Sequence, residues 1–260
     1  MLNIIPIAAF KDNYIWTLHD RQHAVVVDPG DAAPVRDWLD AQQLKLAAIL
    51  CTHHHNDHVG GVCELTQLYN VPVYGPRHEI IPCISHPVGE GAVVQVAELG
   101  ISLTVLDIPG HTRGHVAYLI SGNIGEAVFC GDTLFGCGCG RLFEGTAAQL
   151  HRSLQRLAQL HDTTRVYCAH EYTEANIRFA LACEPGNPHL KQRQMDALAL
   201  RAAGQPTLPS TIALEKATNP FLRCSEPEII HNVERHTGIK LAAANEVAVF
   251  TALREWKNNF

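Results

Sequence analysis

The chain has 260 residues, 47% hydrophobic and 18% charged, an ordinary globular composition with apolar material for a full core, which excludes a disordered chain. Its formal net charge of −6 excludes nucleic acid as the main partner, because a polyphosphate backbone calls for a basic surface. No apolar run is long enough to cross a bilayer, and Met1-Leu2-Asn3-Ile4-Ile5-Pro6 lacks the basic start and cleavage site of a secretory leader, so a soluble, monomeric, cytoplasmic protein with no membrane partner is expected.

In chain order, β-rich runs at Tyr14–Leu18 and Ala24–Val27 precede a helix over Ala33–Gln42 and a strand over Leu46–Cys51. Further strands follow at Ile101–Ile108, His115–Ile120 and Ala127–Cys130, then a helix over Thr146–Leu160, where Leu150, Leu154, Leu157 and Leu160 recur at three or four, and a strand at Arg165–Cys168. Strands interleaved with helices predict a layered α/β domain over residues 1–170. After about Glu171 the β-rich runs largely stop, and Pro-Gly punctuation at Glu184–Pro188 and Gly204–Pro209 separates helical segments. Ser225 and Glu228 have capping-box spacing and Asn245 fits the N-cap of the last helix. Residues 171–260 are expected to form a smaller helical domain packed on the first.

Nine cysteines are scattered without a C-x-x-C pair. Cys51, Cys130 and Cys168 lie in apolar runs and read as buried small side chains, and no cysteine has the electropositive setting of a nucleophile. Histidine is the unusual residue: sixteen against twenty Lys plus Arg, and imidazole is the commonest metal-ligating side chain.

The decisive segment is Thr52-His53-His54-His55-Asn56-Asp57-His58-Val59-Gly60-Gly61, directly after the run ending at Cys51. Side chains two apart on extended backbone face the same way, so His53 and His55 converge on one ion while His54 points elsewhere. A turn into a helix opened by Gly60-Gly61 would aim Asp57 and His58 at a second point. Such nitrogen and carboxylate donors suit first-row metals. Pro109-Gly110-His111-Thr112, Gly131-Asp132-Thr133 and Ala169-His170-Glu171 each follow another β-rich run. The C-terminal ends of strands are where α/β sheets carry their sites. One such cluster alone is as compatible with a solvated loop or a common turn; four together are not.

These residues resemble the metallo-β-lactamase superfamily, whose hallmark is His-x-His-x-Asp-His followed later by His, Asp and His. The resemblance implies an αββα sandwich, here with a C-terminal helical domain, and two divalent metal ions between its sheets. It places His53, His55 and His111 on one ion, Asp57, His58 and His170 on the other, and Asp132 between them, and leaves His115 structural. Zinc is expected, with iron or manganese as alternatives that His and Asp ligands also suit.

The superfamily hosts many chemistries, so the metal residues do not fix the substrate. More selective are Gly136-Cys137-Gly138-Cys139-Gly140-Arg141-Leu142-Phe143-Glu144-Gly145-Thr146, His170-Glu171-Tyr172-Thr173, Thr218-Asn219-Pro220-Phe221-Leu222-Arg223 and Arg254-Glu255-Trp256-Lys257, which look like glyoxalase II over the full length. That resemblance implies hydrolysis of S-D-lactoylglutathione to D-lactate and glutathione, the second step of methylglyoxal detoxification. It also implies that Arg141, Tyr172, Arg254 and Lys257 hold the glutathione moiety. Phe143 stands where some members carry tyrosine, removing a hydroxyl contact. Arg254 and Lys257 are three apart, on one helical face. The expected mechanism uses a hydroxide between the ions, oriented by Asp57 and with Asp132 bridging, to attack the thioester carbonyl. No G-x-S-x-G elbow or Walker-type loop is present, so serine-hydrolase and nucleotidase chemistry lack support. The rival readings are a lactonase or a glutathione persulfide dioxygenase on the same fold, or a non-catalytic metal-binding protein.

Overall fold

The computed structural model describes residues 2–122, 124–241 and 245–260. The chain opens with an antiparallel meander of β1 (Asn3–Ala9), β2 (Asn13–His19) and β3 (His23–Val27). Helix α1 (Ala32–Gln42), whose Asp31 cap accepts from Ala33 N, returns the chain to β4 (Lys45–Leu50), parallel to β3. Two short helices, α2 (Asn56–Val59) and α3 (Val62–Tyr69), then lead to β5 (Val73–Pro76) and β6 (His86–Val88), completing a six-stranded sheet in the order β1-β2-β3-β4-β5-β6.

Strands β7 (Val93–Val96), β8 (Ile101–Asp107), β9 (Val116–Ile120) and β10 (Ala127–Gly131) begin the second sheet. A small hairpin, β11 (Leu134–Phe135) and β12 (Gly138–Cys139), and helix α4 (Ala147–Ala158) precede β13 (Arg165–Cys168), which lies parallel to β10. Helices α5 (Thr173–Cys183) and α6 (Pro188–Ala202) follow. Then β14 (Ser210–Thr211) pairs with β13 and closes the sheet order β14-β13-β10-β9-β8-β7. Helices α7 (Ile212–Thr218), α8 (Pro227–Thr237) and α9 (Glu246–Asn258) end the chain.

Alternation along the strands sorts the two layers of core. Trp16, Leu18, Val25 and Val27 face the second sheet and pack with Val105, Ala117, Val128 and Phe129. Ile15, Val26 and Ile49 face the other way, onto Val35 and Leu39 of α1 and Leu65 of α3. The inter-sheet core continues without a break into Leu150 and Leu154 of α4, Ile229 of α8 and Phe250 and Leu253 of α9. This is the αββα sandwich, with helices after residue 170 packed on its second sheet.

Several sequence expectations are corrected. The runs at β1, β5, β6 and β7 carry too little alternation or are too short to stand out, and β14 adds strand where only helix was expected. Ser225 does not cap α8; Glu226 occupies the N-cap without a side-chain bond because Pro227 starts the helix. Asn245 does cap α9, accepting from Ala248 N. Cys63 on α3 and Cys83 between β5 and β6 form a disulfide, a pair with no sequence signature, while the other seven cysteines are free and buried. No helix among the described residues is long and apolar enough to cross a membrane.

Candidate metal centre

The donors sit where four strand ends meet. His53 and His55 follow β4, His55 on extended backbone, and the chain turns helical earlier than the glycines suggested. His55 is itself the N-cap of α2, so Asp57 and His58 project from that single turn, and Gly60-Gly61 join α2 to α3. Tight approach fixes the glycines nearby. A Cβ on Gly30 would run into the Asp57 carbonyl, and one on Gly140 into the Asp132 carbonyl, with His111 Nδ1 only 3.0 Å away.

Three groups of donor atoms result, and two of them are built from predicted donors alone; the third, Asp28 with His53 and His58, uses a carboxylate that Thr52 and His58 Nδ1 already occupy. His53 Nε2 and His111 Nε2 each lie 3.1 Å from His55 Nδ1, and the three form one set that can hold an ion. Asp57, His58 and His170 form a second, with Asp57 Oδ2 3.5 Å from both His58 Nε2 and His170 Nε2. Asp132 lies between: Oδ1 is 3.4 Å from His58 Nε2 and 3.3 Å from His170 Nε2, and Oδ2 is 3.4 Å from His111 Nε2. All seven predicted donors are thus brought together. His54 instead points away, its Nδ1 on Glu79 and its Nε2 toward Glu144. His115 stacks on His53 at 4.6 Å and accepts from Asp132 N, 3.2 Å, holding the carboxylate's backbone rather than adding a donor.

The donor set fits cations. His58 Nε2 and Asp132 Oδ1 are fully buried without a hydrogen-bond partner, a costly state for polar atoms that a cation between them removes. Burial, with neighbouring imidazoles, holds His53 and His55 below the usual histidine range, and burial does the same to His111. They are therefore neutral, as ligation requires. On His58 and His170 burial is outweighed by Asp132, which raises both; burial of Asp132 is likewise outweighed by these two imidazoles, which keep it ionised.

Around the donors lies a set of orienting groups that the sequence did not reveal. His58 Nδ1 donates to Asp28 Oδ2, 3.1 Å, and Asp28 also accepts from Thr52 N and Thr52 Oγ1, both 2.7 Å. His170 Nδ1 donates to Asp12 Oδ1, 2.9 Å, and His111 Nδ1 to the Arg141 carbonyl, 2.8 Å. Asn13 Nδ2 donates to Asp57 Oδ2, 3.1 Å. Each histidine bond fixes a tautomer with the free nitrogen toward the ion site, and the Asn13 bond holds Asp57 Oδ2, the oxygen that faces His58 and His170. Asp28-Pro29-Gly30 follows β3 just as the donor clusters follow their strands, and that placement was the available signal.

A cleft of about 870 Å³ opens over the donors and is lined also by Arg141, Phe143, Tyr172, Arg254 and Lys257. Phe143, 62% exposed, sets its ring edge-on to His55 and His111 at 5.3 and 5.2 Å. Tyr172 stacks flat on His170, centroids 4.7 Å apart, and burial beside Asp12 and Asp132 pushes its phenol up, so it remains a neutral donor. Arg254 is buried; its Nη1 donates to the Cys139 carbonyl, 2.9 Å, and its guanidinium lies over Phe221. Lys257 Nζ lies over Phe179, and burial, with Arg254 and Arg178 near, pulls it down to about 8.

Two family models match the chain: the metallo-beta-lactamase superfamily over residues 12–170 and the hydroxyacylglutathione hydrolase C-terminus over residues 171–260. A hydroxyacylglutathione hydrolase of Methylobacillus flagellatus is 55% identical over all of both chains, and one of Nitrosomonas europaea is 53% identical over all of this chain and 97% of its own. The crystal structure of ETHE1 from Myxococcus xanthus superposes with a TM-score of 0.65 at 26% identity, covering 99% of each chain. Full-length identity above one half, a C-terminal region matched by that family's own model and a complete double donor set agree: the chain belongs to the hydroxyacylglutathione hydrolase family of metal-dependent hydrolases in the metallo-β-lactamase superfamily.

Proposed function

We propose that His53, His55 and His111 hold one divalent cation, Asp57, His58 and His170 a second, and Asp132 both, and that the substrate is S-D-lactoylglutathione. The observation that carries the metal assignment is Asp132, whose two oxygens face the two donor groups separately. Zinc fits this nitrogen-rich set, and iron and manganese fit it too. Two cations, when bound, supply a water acidified toward a pKa of about 7 and a Lewis acid for the thioester carbonyl.

The remaining work belongs to side chains. Asp57 Oδ2, steadied by Asn13, orients the attacking water over the donor groups. Residues 171–260 act as the substrate-binding helical domain against the catalytic domain 1–170, supported by α9 lining the cleft through Arg254 and Lys257. These two cations, with Arg141, meet the carboxylates of glutathione within an otherwise acidic protein, and Tyr172 donates a hydrogen bond. Phe143 offers its ring face where a hydroxyl would add a contact. The leaving thiolate, with a pKa of about 8.5, departs without a general acid, so no proton donor has to stand opposite Asp57.

Seven buried free thiols beside one disulfide favour a cytoplasmic setting. The acidic surface favours a monomer that binds a small thioester and no nucleic acid. The test is steady-state hydrolysis of S-D-lactoylglutathione with elemental analysis of the same sample. Turnover at a stoichiometry of about two ions per chain is expected; one ion per chain in a fully active sample would overturn the assignment.

A further inference from the structure

We propose that Cys63 and Cys83 form a thiol–disulfide couple that exchanges with glutathione, with Cys83 as the attacked sulfur, and that the couple adjusts the metal centre through Glu79. The exchange rests on the hydrolase reading only for the source of the thiol, since thioester cleavage releases glutathione.

The disulfide joins α3 to the segment 77–85, which links β5 to β6. Its two halves are unequal. Cys83 is exposed, whereas Cys63 is half-buried and is the second residue of α3, behind the Gly61 N-cap. A helix N-terminus stabilises a thiolate, so Cys63 is the better leaving group and the accessible sulfur is the one open to attack. The other seven cysteines are buried, and burial pushes Cys130 up to about 12 and Cys139 up to about 11, which leaves them inert.

The same segment reaches the metal centre. Glu79, its side chain 2% exposed, accepts from His54 Nδ1 at 2.9 Å, from Thr112 Oγ1 and from Gly114 N at 3.0 Å. His54 lies between the donors His53 and His55, and Thr112 follows the donor His111. One buried carboxylate therefore clasps both loops that supply the first ion's ligands. A Cβ on Gly114 would meet Glu79 Cγ at 2.6 Å, so the clasp is closely fitted. The disulfide pins its base.

In the exchange, a glutathione thiolate attacks Cys83 Sγ. The electron pair of the cystine bond leaves on Cys63 Sγ, giving a Cys83–glutathione mixed disulfide and a Cys63 thiolate. A second glutathione thiolate attacks the glutathione sulfur of that adduct, releasing glutathione disulfide and the Cys83 thiolate. Two glutathiones supply the two electrons, and water protonates the thiolates.

The metal-loaded enzyme, without substrate, is equilibrated with mixtures of reduced and oxidised glutathione, acid-quenched and mapped by mass spectrometry, and kcat is then read in the same mixtures. A 63–83 cross-link is expected at the oxidising end, glutathione on Cys83 at intermediate ratios and two free thiols at the reducing end. kcat should fall about threefold or more as the pair opens, through loosened ligand loops. The double variant C63S/C83S should show the lower rate in every mixture, and Glu79→Gln should be slow and insensitive to the mixture. Absence of the cross-link at every ratio, glutathione preferentially on another cysteine, or constant kcat while the cross-link opens would overturn the proposal. Failure of the hydrolase reading is distinct: no thioester cleavage in any mixture, with the mass pattern unaffected.

Discussion

At Asp28 a single buried carboxylate serves three donors, two from Thr52 and one from His58. It therefore determines which nitrogen of His58 carries the proton and which is left for an ion. Asp28→Asn keeps the shape but presents an NH2 group or a weaker acceptor to His58 Nδ1. Affinity for one of the two ions should fall about 10- to 100-fold, with a parallel loss of kcat; metal content after dialysis against a competing chelator checks it, and unchanged content would remove Asp28 from this role. The donors themselves were legible because each is a metal-type residue in a motif of fixed spacing. Asp28, Asp12, Asn13 and Glu79 were not, because a carboxylate or amide that orients another side chain looks in sequence like any turn residue. Only folding sets it beside its histidine.

Helix α9 shows how an element can carry two tasks on one face. Arg254 is turned inward and joins the helix to the backbone of Cys139 and Gly140, just past the Asp132 loop, whereas Lys257 keeps its ammonium over aromatic rings at the cleft wall. The two substitutions should therefore differ. Arg254→Ala leaves buried carbonyls without a donor, which costs about 1–3 kcal/mol of stability, besides raising KM; a denaturation midpoint equal to wild type would contradict it. Lys257 has a distinct pH signature. Its pKa is lowered to about 8, with burial as the main cause, so the charged form is present below that pH and is lost above it. KM for an anionic thioester should rise as pH passes about 8, and Lys257→Arg, whose charge persists, should abolish the rise; a flat KM to pH 10 in the parent enzyme would refute the assignment. The linkage for folding has the opposite sense. The unfolded chain binds the extra proton between about 8 and the ordinary 10.5, so this group favours the fold more as pH rises through that window. Elements with strong periodicity, such as α4 with Leu150, Leu154 and Leu157 inward, stood out in the sequence. The four-residue β5 and three-residue β6 did not, since pairing along a sheet edge rather than side-chain pattern defines them.

At the scale of the whole molecule, the core and the metal centre are separate sources of stability. Packing between the sheets and onto the helices is continuous without the ions, so the metal-free protein should remain folded. Binding still adds to that. Each ion at about 1,000 times its dissociation constant contributes about 4 kcal/mol, so two contribute about 8 kcal/mol, or about 20 °C in Tm for a chain of this size class. Calorimetry with and without chelator should show a cooperative transition lowered by roughly that amount; loss of the transition altogether would mean the ions hold the fold itself.

The donors also divide by origin. His53, His55, Asp57 and His58 follow β4 of the first sheet, while His111, Asp132 and His170 follow strands of the second. Neither donor group has its full complement on one side, so a pair of cations held there would rivet together two layers made at different times. A nascent chain lacks the first donor group until His111 has emerged and the second until His170 has. Loading of both ions would therefore be a late event, one that reports that both layers have been made and have docked.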